Sequence, residues 1–300
     1  MSAGFPRMGD IRMIALDMDG TTLLPDHVTV PPLTSRMLAA CTARGIVVVP
    51  ATGRAVSLIE PVAAQLGSPR VAVSANGARV CELGSGAADL MPRPRIGADT
   101  ALALQDEALS RGLHLEVYHG GKSYYRADMF ARITRVFPPV FQRYLREHSE
   151  VVPDYTPVLA AGDVEKVSIL GMDEAQRTEV RAALDAYPDI TVVSSDLMNC
   201  EISARGVSKA SGLASLADQL GIRPAEVLAC GDSGNDLAML TWAGCSVAMG
   251  NAAVEAIRSA QWVCPANVDD GVGQVLSRML EGGDLTGVLT PAAEAVGRSR

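Results

Sequence analysis

Twice along this chain, short runs of small and branched apolar residues alternate with helix-like stretches. Near the start these are "MIAL" (Met13–Leu16), "IVVVP" (Ile46–Pro50) and "VAVS" (Val71–Ser74); near the end they are "VLAC" (Val227–Cys230), "CSVAM" (Cys245–Met249) and "QWVC" around Trp262. A strand with no polar alternation is built to be buried on both faces, which is what a parallel sheet covered by helices on both sides provides. The intervening segments read as helices over Leu33–Arg44 (closed by Gly45), Val56–Leu66 (closed by Gly67), Ser208–Leu220, from Asn235 onward, and over Val254–Ala260. The expected fold class is therefore α/β, a doubly wound parallel-sheet core of Rossmann-like type.

The middle of the chain has a different rhythm. A helix near Ala98–Arg111 precedes a hairpin, "LHLEVYHGGKSYYR", turning at Gly120–Gly121; then come a helix near Met129–Glu147, a strand "EKVSIL", a helix near Glu174–Ala186, and strands around "ITVVSS" and "MNCEIS". This is α+β order, set between two parts of a parallel sheet. It predicts a discontinuous core domain of residues 10–81 and 200–283, an inserted α+β cap domain of residues 82–199, and a loose C-terminal tail, 284–300. A ligand would then bind between core and cap.

The 300 residues are enough for two moderate domains, and 48% hydrophobic against 20% charged residues is ordinary globular composition. With 26 basic and 34 acidic residues the net charge is −8, which argues against a nucleic-acid partner or an anionic membrane surface. The six cysteines form no CxxC pair and read as reduced, buried thiols rather than a zinc cluster. No run reaches the ~18 apolar residues of a membrane span, and no leader-like apolar segment opens the chain, so a cytoplasmic location is expected.

Ligands of doubly wound sheets sit at the carboxyl ends of the strands. The first strand ends in Asp17-Met18-Asp19-Gly20-Thr21, the second in Thr52-Gly53-Arg54, the third in Asn76-Gly77, and a late one in Asp232, Asn235 and Asp236. Asp17 and Asp19, two apart, would share one side of an extended strand, where repulsion between like charges is greatest. Four carboxylates at one edge call for a cation, and a hard divalent ion with oxygen ligands, Mg²⁺, suits them. Mg²⁺ takes few protein carboxylates and completes its shell with water and substrate phosphate, so the metal points to a phosphate ligand. Thr52 and Gly53 at a strand-to-helix turn, and Lys209 at a helix start, offer anion contacts.

The ordered set "DMDGT", "ATGR", "GVSKA" and "GDSGND" resembles the haloacid-dehalogenase-like phosphatase superfamily. "SANGA", "AMGNA" and "DDGVGQVL" add the wording of its Cof-like, sugar-phosphatase branch with a type IIB cap. The resemblance spans nearly the whole chain; Thr22 departs from it, standing where leucine is common. It implies Asp17 as nucleophile, forming an aspartyl-phosphate, and Asp19 as general acid and then base. It also implies Mg²⁺ held by Asp17, the Asp19 backbone carbonyl and Asp232, with Asp236 behind them, and a phosphoryl cradle of Thr52, Gly53, Lys209 and Asn235. The implied activity is Mg²⁺-dependent hydrolysis of a small phosphorylated metabolite, such as a sugar phosphate.

Two other classes stay open. A phosphomutase shares nearly every catalytic part, and a non-catalytic phosphoacceptor switch also uses an Asp, neighbouring acids, a Thr and a Lys. Asp19 and the long insert argue against the switch. Arg54 divides evenly between a substrate contact and a structural ion pair; Asn76 and Gly77 are further candidate substrate contacts. His27, His114 and His148 read as surface residues, as do the hairpin residues His119, Lys122, Tyr124 and Arg126. Neither the substrate nor the oligomeric state is legible.

Overall fold

The computed structural model describes residues 5–84, 86, 88–195 and 199–298. Met198, at the start of the expected "MNCEIS" strand, and the last two residues of the expected tail lie outside them. Strands of the first part are β1 (Met13–Leu16), β2 (Val47–Pro50), β3 (Val71–Ser74) and β4 (Arg79–Glu82). The middle contributes β5 (His114–His119), β6 (Lys122–Arg126), β7 (Glu150–Val152), β8 (Val164–Leu170), β9 (Ile190–Val193) and β10 (Asn199–Ala204). The last part contributes β11 (Val227–Gly231), β12 (Cys245–Ala248), β13 (Trp262–Val263) and β14 (Thr290–Pro291).

The core sheet has the order β14-β13-β12-β11-β1-β2, parallel except for β14. The chain leaves β1 toward β2 and later returns on its other side through β11, so the strand order reverses at β1. A crevice opens at such a switch point. Leu16 stands level with both Cys230 and Pro50, which brings the residues that follow all three strands to one edge. Burial on both faces is complete along β1, β11 and β12, as the unbroken apolar runs require.

Four expectations change. The third strand does not continue the parallel sheet: it touches β2's extension through a single Ala51–Val73 bridge and pairs antiparallel with β4. Ala75, Asn76 and Gly77 all have positive φ and turn the chain back on itself. The expected helix over Val56–Leu66 is two tight turns, Val56–Leu58 and Glu60–Leu66, with Pro61 in the first turn of the second. The single helix expected over Met129–Glu147 is two, Ala127–Thr134 and Pro139–His148, parted by Pro138 and Pro139. The expected loose tail instead supplies the edge strand β14 and a helix, Ala292–Arg298.

The second sheet has the order β7-β6-β5-β8-β10-β9. Because β10 pairs with β8 and β9, residues through Ala204 belong with the cap sheet rather than the core, and the cap's first contact with that sheet is the Ile96–Val164 bridge. Which sheet a strand joins is a long-range matter, so Cys200–Ala204, which the expected 200–283 boundary put in the core, pair with the cap strands. One face packs Leu115, Val117, Val167, Ile169, Cys200 and Ile202 into an apolar cluster with the cap helices. On the other face the register sets Glu201 and Glu116 beside Ser168, and Tyr118 beside Lys166 and Ser123. All of these are buried despite their polarity, because this face looks onto the core.

Candidate active site

Asp17 follows β1 directly, with its N–H donating to the Cys230 carbonyl at 3.0 Å and its own carbonyl accepting from Thr22 Oγ1 at 2.6 Å. These bonds pin the backbone, so the carboxylate is fixed where the strand ends. Thr22, the departure from the family wording, is thus a buried backbone clamp. The chain next makes a wide turn over Met18–Thr22, closed by Leu23 N–H on the Met18 carbonyl. Gly20 sits there at φ +78°, pressed against the Asp232 carboxylate so closely that a Cβ would collide with it.

Lys209 opens the helix Lys209–Leu220, capped by Ser208, and is completely buried. Its Nζ donates to Asp17 at 2.5 Å and to Asp236 at 2.7 Å. Burial works against its charge, but the two carboxylates outweigh burial and hold it above the ordinary lysine range. Asp236 also accepts from the N–H groups of Asp232 and Ser233, at 2.9 and 3.0 Å. Asp232 accepts from Thr21 Oγ1 at 2.7 Å.

Asp17, Asp232 and Asp236 each present an oxygen within 4.8 Å of the others. One lysine cannot balance three carboxylates. Burial, with Lys209 opposing and Asp236 adding to it, raises Asp17 well above the usual carboxylate range; burial and then Asp236 push Asp232 up to about 7. An all-oxygen, over-charged set of this kind fits a hard divalent cation.

Asp19 faces away from that cluster. Arg54 grips its carboxylate at both ends, Nε at 2.7 Å and Nη2 at 2.5 Å, and His27 Nδ1 lies 2.6 Å away. Burial would raise its pKa, but Arg54 and His27 prevail and hold it well below the usual range. Arg54 is thus an ion-pair partner, one of the two readings its sequence position allowed. His27 is a correction: it belongs to the site rather than the surface. Its ring stacks on Phe141 at 4.8 Å, and the Arg54 guanidinium lies 5.0 Å from the same ring. A single histidine in a polar loop carried no sequence signal of this.

The remaining predicted residues meet on the other side. Thr52 is buried, its carbonyl accepting from Asn76 N–H and its hydroxyl from Arg54 N–H. Asn235 Nδ2 reaches Asn76 Oδ1 and Glu201, each at 3.2 Å. Gly77 packs against the Ser208 carbonyl, too close for any side chain, and so seats the helix that carries Lys209. Gly53's carbonyl accepts from Lys166 Nζ at 2.7 Å. Lys166 and Glu201 escaped the sequence reading because a polar residue at alternate positions of a strand, as Lys166 and Ser168 or Asn199, Glu201 and Ser203, signals a solvated face.

A parallel sheet with an acidic cluster at its switch point, roofed by an inserted α+β unit, defines a capped α/β hydrolase. The chain belongs to the haloacid dehalogenase-like hydrolase family, whose model matches residues 14–276, and within it to the Cof-like branch. It is 27% identical over 267 residues to the 5-amino-6-(5-phospho-D-ribitylamino)uracil phosphatase YcsE of Bacillus subtilis strain 168, covering 89% of this chain and 95% of that one. The phosphatase YwpJ of the same organism is 30% identical over 294 residues, covering 90% of this chain and 100% of that one. A solved haloacid dehalogenase-like hydrolase from B. subtilis superposes with a TM-score of 0.77 at 26% identity, covering 89% of this chain and 99% of that one.

Proposed function

We propose that this protein is a Mg²⁺-dependent phosphatase acting on a small phosphorylated metabolite through an aspartyl-phosphate on Asp17. The observation that carries the reading is the buried Lys209 ammonium, 2.5 Å from Asp17 and 2.7 Å from Asp236, at the switch point of the sheet. It holds the Asp17 carboxylate in place with one oxygen engaged. The second oxygen is left to attack phosphorus, forming the Asp–O–P bond as the ester oxygen departs.

Thr52, the Gly53 turn, Lys209 and Asn235 would surround the transferring phosphoryl, whose negative charge is the main thing to be stabilised. Asp17 and Asp232 would supply carboxylate oxygens for Mg²⁺, with the Asp19 carbonyl as the further ligand the resemblance implies and Asp236, its oxygens engaged by Lys209 and the Asp232 and Ser233 N–H groups, behind them. When bound, the ion neutralises charge shared between these carboxylates and the phosphate. Asp19 would protonate the departing oxygen and then take a proton from the water that attacks the phosphoenzyme. In the arrangement seen, Arg54 and His27 keep Asp19 ionised, so it must let go of Arg54 before it can act as an acid. The relatives differ in substrate: one is named for a ribitylamino-uracil phosphate, and another, a Serratia proteamaculans protein 30% identical over 253 residues, is an HMP-PP phosphatase. The fold alone therefore does not choose the metabolite.

The test is phosphate release from a panel of phosphorylated sugars, nucleotides and cofactors, with Mg²⁺ and after EDTA, for wild type and Asp17→Asn. Metal-dependent release that Asp17→Asn abolishes is expected. Undiminished release in the metal-free protein or in the variant would overturn the reading.

A further inference from the structure

Two charged residues of the cap, Lys166 on β8 and Glu201 on β10, are 1% and 6% exposed and have no part in the chemistry above. They form an ion pair at 3.1 Å, and Lys166 Nζ also lies 4.2 Å from the Tyr118 ring. Such a pair is a poor choice for stability alone, since apolar residues of the same volume usually serve as well or better when buried.

Apart from the Ser195 hydroxyl of the cap, which donates to Glu201 at 3.2 Å, their other hydrogen bonds lie on the core, in the turns that would hold the phosphoryl group. Lys166 donates to the Gly53 carbonyl at 2.7 Å. Glu201 accepts from Asn76 Nδ2 at 2.8 Å and from Asn235 Nδ2 at 3.2 Å. Gly53 lies against this group: a Cβ there would stand 3.2 Å from Lys166 Nζ, 3.2 Å from Asn76 Oδ1 and 3.3 Å from Glu201 Oε1. The peptide that Lys166 polarises is also the one whose N–H, on Arg54, donates to the Thr52 hydroxyl at 3.2 Å. Asn235 is aligned at both ends, its Oδ1 accepting from Ser233 Oγ at 2.9 Å. With the cap lifted, Asn76 and Asn235 lose their carboxylate partner and Gly53 loses its cation.

We propose that Lys166 and Glu201 are positioning residues, a cap-borne ion pair that aligns Gly53, Asn76 and Asn235 for the phosphoryl group only when the cap is seated. The pair couples closure to assembly of the site, so that an open cap leaves the cradle unaligned and idle. This rests on the phosphatase reading of the same site.

The full-length protein is assayed with Mg²⁺ on p-nitrophenyl phosphate and on glucose 6-phosphate, as wild type, Lys166→Met, Glu201→Gln and the double variant. Misalignment of this kind lowers kcat by about 10²-fold. The loss should be the same for both esters, with KM little changed, and the double variant should be no worse than the worse single one. Loss confined to glucose 6-phosphate would overturn the proposal, because Glu201 would then be reading the leaving group; so would additive losses or none. Should a single variant misfold, Lys166→Met with Glu201→Leu keeps the seam apolar, and unimpaired kcat there would equally overturn it. Hydrogen exchange supplies a readout independent of turnover. The Arg54 and Asn76 amides should exchange faster in Glu201→Gln while those of β1 and β11 do not, and unchanged exchange would refute the latch. A wild type inactive on every ester but showing this exchange pattern would overturn the phosphatase reading and leave the latch standing.

Discussion

The metal-free protein should lose stability through Asp232 as the pH rises, opposite to the behaviour of a salt-bridged carboxylate. Burial, then Asp236, push the group up to about 7, whereas in the unfolded chain it titrates near 3.8. Between these values the native state holds a proton that the unfolded chain has released, so the free energy of unfolding falls as pH increases. The contribution is complete below the unfolded value and gone above about 7. From about pH 5 to about pH 8, some two pH units of excess proton uptake are lost at about 1.36 kcal/mol each, or about 2.7 kcal/mol. The assay is urea unfolding in EDTA at both pH values for wild type and Asp232→Asn, which cannot titrate at that position. Asp17 and Glu165, raised mainly by burial, act in the same direction, and His114, lowered by burial, acts in the other. Glu165 and His114 are present in both proteins and cancel, while Asp17, raised in part by the Asp232 charge, adds to the difference in the same direction as Asp232. Mg²⁺ should stabilise wild type more at the higher pH, since binding requires deprotonated ligands. A wild-type-minus-variant difference that stays flat or grows with pH would refute the burial argument.

Lys209→Met should destabilise the metal-free protein by about 3–5 kcal/mol, because two buried carboxylates lose the cation bonded to both of them; a urea midpoint equal to wild type would show the carboxylates compensated in another way. Phe141→Ala should lose about 3 kcal/mol in the same assay and speed hydrogen exchange in the helix Pro139–His148, since the ring seats that helix on His27 and Arg54; exchange unchanged in that helix would refute the contact. Asp19→Asn should slow hydrolysis of a sugar phosphate by about 10²–10⁴-fold. With p-nitrophenyl phosphate, whose leaving group needs no proton, it should give a burst of nitrophenol followed by slow turnover. Equal losses with both esters and no burst would remove Asp19 from the acid–base role.

Much of this protein was settled by local sequence. The apolar runs at Met13, Val47 and Val227 require burial on both faces, which fixes a parallel sheet, and a parallel sheet brings its carboxyl ends to one edge. Asp17, Thr52 and Asp232 could therefore be placed together from the strand ends, whereas Lys209 was joined to them by the resemblance alone. The tertiary structure decided what depends on contacts between distant segments. It paired β3 with β4, through a turn of three successive positive-φ residues, rather than with the main sheet, and it kept the whole of β10 on the cap sheet. It placed His27 on Asp19 and under a cap aromatic ring, and it buried Lys166 and Glu201 against the core. A strand that alternates polar and apolar residues looks the same whether its polar face meets water or another domain's polar groups. Only the docking of cap on core distinguishes the two, and that docking is written in no single segment.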